Sequence, residues 1–208
     1  MQEYEILRKE VVSDDIKIFE LYAPLVARYC DPGQFLIVMV HEEGERIPLT
    51  IADFDREKGT VEIVFQEVGK STMHLGTLEP GQVLYAIVGP FGHKSDIQDK
   101  KRVITVGGGI GIAPVYPIAR GYKQHGAEVI NIIGARTQSL LVYEDKMREI
   151  SDELIVCTDD GSYGRKGVVT EPLKEILDKD PNFDVCLAIG PAIMMKFVAL
   201  MTKEYEIP

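Results

Sequence analysis

Between Met1 and about residue 95, apolar positions recur at alternate residues in short runs separated by turn chemistry. The runs Tyr4 to Val11, Ile16 to Leu21, Phe35 to Val40, Thr60 to Gln66 and Val83 to Val88 are rich in β-branched and aromatic side chains, as strands with one buried face require. Asp31-Pro32-Gly33, Glu43-Gly44, Lys58-Gly59 and Pro80-Gly81 break them. Strands at this spacing, with no long helix among them, predict a closed antiparallel barrel. One short helical turn is expected over Ser71 to Leu75, where Gly69-Lys70-Ser71-Thr72 offers capping groups.

From about Lys100 the rhythm changes to strand, glycine turn, helix. Strands are predicted over Arg102 to Val106, Glu128 to Ile133, Leu154 to Cys157 and Val185 to Ile189. Helices are predicted over Ile112 to Gln124, Leu141 to Ile150, Val169 to Leu177 and Ala192 to Tyr205. That alternation predicts a parallel sheet covered by helices on both faces. Two domains follow: an antiparallel β-barrel over 1–97 and an α/β domain over 98–208.

Composition narrows the function classes. The chain has 208 residues, 45% of them apolar, enough for two modest cores. No run of about 18 uninterrupted apolar residues exists, so no membrane span is expected. Met1 to Lys9 alternates charged and apolar residues and lacks a secretory pattern, which predicts a cytoplasmic protein. The net charge of −10 argues against a nucleic-acid partner, whose phosphates need clustered Lys and Arg. Any bound phosphate must instead be met by local backbone amides. Cys30, Cys157 and Cys186 lie far apart without CxxC spacing. Three thiols build neither a disulfide framework nor a four-thiolate cluster, so no metal site and no [2Fe-2S] centre are expected within this chain. His41, His74, His93 and His125 are scattered and suggest no catalytic set.

The strongest local signal is Gly107-Gly108-Gly109-Ile110-Gly111-Ile112-Ala113-Pro114, directly after one predicted strand and opening a helix. Glycines there let backbone approach a ligand, and free amides with the helix dipole favour a pyrophosphate. Taken alone, such a turn is also a common packing device. Thr158-Asp159-Asp160-Gly161-Ser162-Tyr163-Gly164 and Gly190-Pro191-Ala192 follow two other strands of the same expected sheet. Three such breaks at one edge outline a single crevice, where ligands of open α/β sheets bind. In the first domain, Arg46-Ile47-Pro48-Leu49-Thr50 joins a cation, a kink, an apolar side chain and a hydroxyl. Such a set suits a flavin, which needs an apolar surface and a hydrogen-bonding group near N5. Arg46 fits a solvated surface charge equally well. Gly69 to Thr72 offers amides and a hydroxyl for a second pyrophosphate, or a plain helix cap.

The ordered set RIPLTIAD, VGKST, PGQ before GPFG, VGGGIGIAP, GAR, TDDGSYGRKGVVT and AIGPAIMM resembles the ferredoxin reductase superfamily over nearly the whole chain. Within it, the chain is most similar to the small FAD-containing subunits of NADH-dependent ferredoxin:NADP oxidoreductase (sulfide dehydrogenase), with the electron-transfer subunits of dihydroorotate dehydrogenase as near relatives. The resemblance implies that the barrel is a Greek key holding FAD and that the α/β domain holds NAD(P). It implies a flavoprotein oxidoreductase passing hydride between NAD(P)H and FAD, then electrons to a larger redox subunit.

By the same resemblance, Pro48, Leu49 and Thr50 contact the flavin, Thr50 near N5 as the catalytic group, with Arg46 beside them. Val64, Phe65 and Gln66 line the FAD, while Gly69, Ser71 and Thr72 hold its diphosphate. Gly108, Gly109, Gly111 and Pro114 form the dinucleotide loop, Asp159 and Asp160 lie near its adenosine end, and Gly190, Pro191 and Met194 near the nicotinamide. NADH preference is expected because two carboxylates repel a 2′-phosphate, with Arg136 as the opposing feature. The sequence departs from the family pattern in three places. Leu49 and Ile47 replace a frequent aromatic and a frequent arginine, Ile189 replaces the cysteine that often precedes the Gly-Pro pair, and the cysteine-rich cluster segment of both nearest relatives has no counterpart before Pro208. A fragment, or a branch whose partner takes electrons directly from flavin, would each explain the last. The reading from another class is a nucleotide-sensing module without turnover.

Overall fold

Strand β5, Thr60–Gln66, shows how alternation builds the first half of the molecule: Val61, Ile63 and Phe65 join the barrel core, while Glu62, Val64 and Gln66 lie on the other face of the wall. The computed structural model describes residues 1–208 and divides them into two units, Met1–Ser95 and Asp96–Pro208. The first contains β1 (Ile6–Val11), β2 (Ile16–Tyr22), α1 (Pro24–Tyr29), β3 (Phe35–Met39), β4 (Ile47–Asp55), β5, α2 (Lys70–Gly76) and β6 (Ala86–Phe91). The strand order β1-β2-β5-β4-β3-β6, antiparallel throughout, is a Greek key. Ile6 N donates to Gln82 O at 2.8 Å and Leu84 N to Tyr4 O at 3.0 Å, closing the sheet into a barrel. Phe19 and Phe65 meet edge to face inside it, their centroids 5.1 Å apart.

Three elements differ from the sequence reading. Residues 82–84 are spent on closing the barrel, so the last strand begins at Ala86 rather than Val83. The segment around Arg46 to Ala52, absent from the expected strands, carries the nine-residue strand β4. Pro48 lies where β4 pairs only with β3, before pairing with β5 begins at Ile51, a half-edge position that tolerates a missing N–H. Helix α1, with Pro24 at its first position, was not expected.

The second unit contains β7 (Arg102–Gly108), α3 (Ile112–Gln124), β8 (Glu128–Ala135), α4 (Glu144–Ile150), β9 (Glu153–Thr158), β10 (Arg165–Lys166), α5 (Thr170–Lys179), β11 (Val185–Ile189) and α6 (Ala192–Glu204). Its sheet has the order β10-β9-β8-β7-β11, all parallel. Ile104, Val106, Ile130 and Ile132 share a core with Leu173 and Leu177 of α5 and Val198 of α6. Helices α3 and α4 cover the opposite face. There Thr105 and Asn131, both fully buried, hydrogen-bond each other, and Asn131 Nδ2 donates to Ser151 Oγ at 2.7 Å. These two polar residues are therefore satisfied, as burial demands. Helix α4 starts at Glu144 rather than Leu141, because Tyr143 adopts a left-handed conformation with φ of +58°. No helix is long and apolar enough to cross a membrane.

Candidate functional site

Parallel pairing puts the carboxyl ends of four strands on one edge of the second unit. Gly107 pairs with Ile189, Gly108 with Gly134 and Ala135 with Thr158, so the loops after β7, β8, β9 and β11 leave together. The glycines there are required by close approach. A Cβ on Gly108 would lie 2.5 Å from Met194 Sδ and 3.0 Å from Pro191 Cδ; one on Gly111 would lie 2.4 Å from the Ile189 carbonyl oxygen. A Cβ on Gly190 would lie 2.8 Å from Met194 Cε and 3.0 Å from the Gly108 backbone. Gly108, Gly111, Gly190, Pro191 and Met194 are thus brought together. Gly109 differs: φ is +56° and nothing stands within 4 Å of where its Cβ would be. Its backbone faces open space just before α3, whose first turn accommodates Pro114 because N–H groups there have no helical acceptor.

Asp159 and Asp160 sit exposed on the same rim, tied to the end of β8 by Asp159 N to Ala135 O at 3.1 Å and Asp160 N to Arg136 O at 3.2 Å. Asp160 Oδ1 accepts the Ser162 N–H at 2.9 Å. Hydrogen bonding from Ser162 holds the Asp160 carboxyl below the usual carboxylate range, so it is ionised at neutral pH. Arg136 is exposed nearby in sequence at the end of β8. Two further bonds join the loops. Ser162 Oγ accepts the Gln138 N–H at 2.9 Å, and Tyr163 OH donates to Glu144 Oε1 at 2.8 Å. Sequence reasoning put Ser162 and Tyr163 in the rim loop without a role and missed Glu144, since no spacing pattern links residues from separate strand connections.

In the first unit, the face of each strand sorts the expected flavin residues. On β4, Ile47 and Ile51 belong to the barrel core and Leu49 packs against it, which leaves Pro48 and Thr50 on the other face. On β5, Phe65 is in the core while Val64 and Gln66 share the face of Glu62. Strands β4 and β5 are neighbours, their pairing starting where Ile51 lies opposite Ile63. Pro48, Thr50, Val64 and Gln66 therefore share one face of the barrel wall, whereas the Leu49 and Phe65 side chains turn from it. Thr50 is half-buried and its hydroxyl has no protein partner; the Gln66 amide is held by Asp15.

At the start of α2, Thr72 Oγ1 accepts N–H bonds from Val68 at 3.0 Å and Gly69 at 3.1 Å, capping its own helix. Ser71 donates to the Glu45 carboxylate. Gly69 is open, with nothing within 4 Å of a Cβ position, and Arg46 is exposed. Of the expected group, Arg46 is exposed, while the Gly69 N–H and the two hydroxyls are already engaged.

The thiols do not converge. Cys30 is buried in the first unit, Cys157 and Cys186 belong to the second, and burial pushes the Cys186 thiol up to about 12. No three His, Cys, Asp or Glu side chains gather in a way that could hold a metal ion.

Comparison with known proteins matches residues 3–95 to the oxidoreductase FAD-binding domain and residues 105–200 to the oxidoreductase NAD-binding domain. The chain is 43% identical over 204 residues to the dihydroorotate dehydrogenase B (NAD(+)) electron transfer subunit homolog of Thermotoga maritima, covering 98% of this chain and 72% of that protein. It is 31% identical over 197 residues to the corresponding electron transfer subunit of Geobacillus thermodenitrificans, covering 92% of this chain and 75% of the relative. Among solved structures, the NADH-dependent reduced ferredoxin-NADP oxidoreductase, studied for flavin-based electron bifurcation, superposes with a TM-score of 0.92 at 42% identity, covering all of this chain and 75% of its own.

Proposed function

The chain belongs to the ferredoxin reductase-like FAD- and NAD-binding oxidoreductases, and from that premise we propose that it serves a larger redox partner as the subunit that draws electrons from NADH. It is an FAD-dependent NAD(P)H oxidoreductase, with the FAD-binding domain first and the NAD-binding domain second. We take the division as residues 1–97 and 98–208 and the setting as cytoplasmic. Bound FAD supplies acceptance of hydride and release of single electrons.

The single observation that carries the dinucleotide assignment is the glycine cradle: Gly108, Gly111 and Gly190 are each closed to a Cβ by neighbouring atoms, while Gly109 opens outward. In this reading the backbone N–H groups of Gly108, Gly109 and Gly111 and the N-terminal end of α3, whose first turn carries Pro114, receive the pyrophosphate. Gly190, Pro191 and Met194 border the nicotinamide, and Asp159 and Asp160 accept hydrogen bonds from the adenosine ribose. Thr50 offers its unpartnered hydroxyl to flavin N5, beside Pro48, Val64 and Gln66. Leu49 and Phe65 contribute through their backbone. Arg46 meets the flavin diphosphate, with the Gly69 amide, Ser71 and Thr72 joining when they exchange their present partners for it.

Acid release from the purified yellow protein is expected to give FAD; recovery of FMN alone would overturn the flavin assignment. Steady NADH oxidation with an artificial acceptor is expected as well, and its absence would favour a sensing module. NADH is expected to reduce the flavin faster and at lower concentration than NADPH, since Asp159 and Asp160 oppose a 2′-phosphate. The reverse order would assign the rim to Arg136 instead. Likeness to the Thermotoga maritima relative supports a partner that oxidises dihydroorotate, and likeness to the solved oxidoreductase supports a partner handling ferredoxin and NADP. Reconstitution with each class of partner subunit decides between them.

A further inference from the structure

We infer that Ser162 and Tyr163 are positioning residues that set the preference between NAD and NADP, by latching the loop after β9 to the segment after β8. The inference rests on the assignment of Asp159 and Asp160 to the adenosine ribose and deepens it.

The loop carrying the two aspartates is restrained by side chains at its middle. Ser162 acts in two directions: its backbone N–H reaches Asp160 Oδ1 at 2.9 Å, and its Oγ accepts the Gln138 N–H at 2.9 Å. Tyr163 is gripped at both ends. Its backbone N–H and carbonyl both engage Thr158 Oγ1, at 3.1 and 2.6 Å, while its phenol donates to Glu144 Oε1 at 2.8 Å. Glu144 is itself anchored by Arg148 Nη2 at 2.6 Å. Backbone bonds from Asp159 to Ala135 and from Asp160 to Arg136 complete the seam.

Discrimination against a 2′-phosphate by charge requires that the carboxylates cannot retreat. Coulomb repulsion falls with distance and with solvent between the groups. A loop free to swing would let Asp159 and Asp160 withdraw and leave the phosphate to Arg136, a residue type well suited to phosphate. A latched loop keeps the penalty in place and keeps the ribose acceptors aligned. Cutting the latch should therefore weaken NAD+ and relieve NADP+, changing their ratio rather than lowering both together.

The test compares full-length, flavin-loaded wild type with Ser162→Ala, Tyr163→Phe, the double variant and Asp160→Asn. Equilibrium binding of NAD+ and of NADP+ is measured by calorimetry without turnover. Each single latch variant is expected to narrow the NAD+/NADP+ affinity ratio about threefold and the double variant about tenfold, the range for lost neutral hydrogen bonds, with flavin content unchanged. A double variant that keeps the wild-type ratio, while Asp160→Asn narrows it, would overturn the latch and leave the aspartate assignment standing. Equal loss of both affinities at constant ratio would reduce Ser162 and Tyr163 to general structural support and also overturn it. No change of ratio in Asp160→Asn would overturn the aspartate assignment, and the latch with it.

Discussion

Gly111→Ala is expected to cost the protein about a hundredfold in NAD+ affinity and to lower the melting temperature of the second unit by roughly 4 to 12 °C, as overpacking of about 1–3 kcal/mol would do. The added methyl would sit 2.4 Å from the Ile189 oxygen, 2.7 Å from its carbon and 2.8 Å from Gly190 Cα. All three are backbone atoms, so no side-chain rotation relieves the clash. Relief requires the end of β11 to move away from the start of α3, and those two segments form the proposed nucleotide rim. Neighbouring glycines predict a ranking. Gly108→Ala meets the flexible Met194 thioether at 2.5 Å, which can swing aside in part, so its effect should be smaller. Gly109→Ala meets nothing within 4 Å and pays only for its φ of +56°, about 1 kcal/mol. Titration calorimetry and thermal melts on the three variants check the order. Wild-type NAD+ affinity in Gly111→Ala would remove the cradle from the binding site.

Legibility of the fold followed the strength of each periodic signal. Strands β5 and β11 and helix α3 were read to the residue, because a β-branched alternating run, a continuous apolar run and a helical stripe opened by glycines leave little choice. Strand β4 was hidden by Pro48, which argues against a strand unless one knows that the neighbouring strand on one side starts only at Ile51. The left-handed Tyr143 that delays α4 has no sequence signature, since tyrosine is not a residue that favours this conformation. For the candidate sites, the glycine breaks were legible because they follow parallel strands, whose ends topology alone collects on one edge. The face of each side chain was not. Leu49 and Phe65, which the resemblance expects at the flavin, share their strand parity with Ile47, Ile51, Val61 and Ile63 of the barrel core. Period-two alternation, applied strictly to β4 and β5, would have singled out Pro48, Thr50, Val64 and Gln66.

Thr50→Val is expected to slow flavin reduction by NADH about tenfold while leaving NAD+ affinity and flavin content unchanged. Valine matches threonine in shape and β-branching, so β4 keeps its packing and its pairing with Phe35 on β3. What disappears is one hydroxyl. That hydroxyl has no partner within the protein and lies half-buried on the same face as Pro48 and Val64, so its loss strands no buried group, and stability should change by less than about 0.5 kcal/mol. A neutral hydrogen bond contributes about 0.5–1.5 kcal/mol; made more strongly as the hydride arrives, it translates into about a two- to twelvefold rate change. Thr50→Ser keeps the hydroxyl with a smaller side chain and should restore most of the rate, which separates hydrogen bonding from packing. Stopped-flow absorbance of flavin bleaching at saturating NADH measures the step directly. Wild-type kinetics in Thr50→Val would leave Thr50 as a wall residue, and equal slowing in valine and serine variants would assign the effect to shape rather than to the hydroxyl.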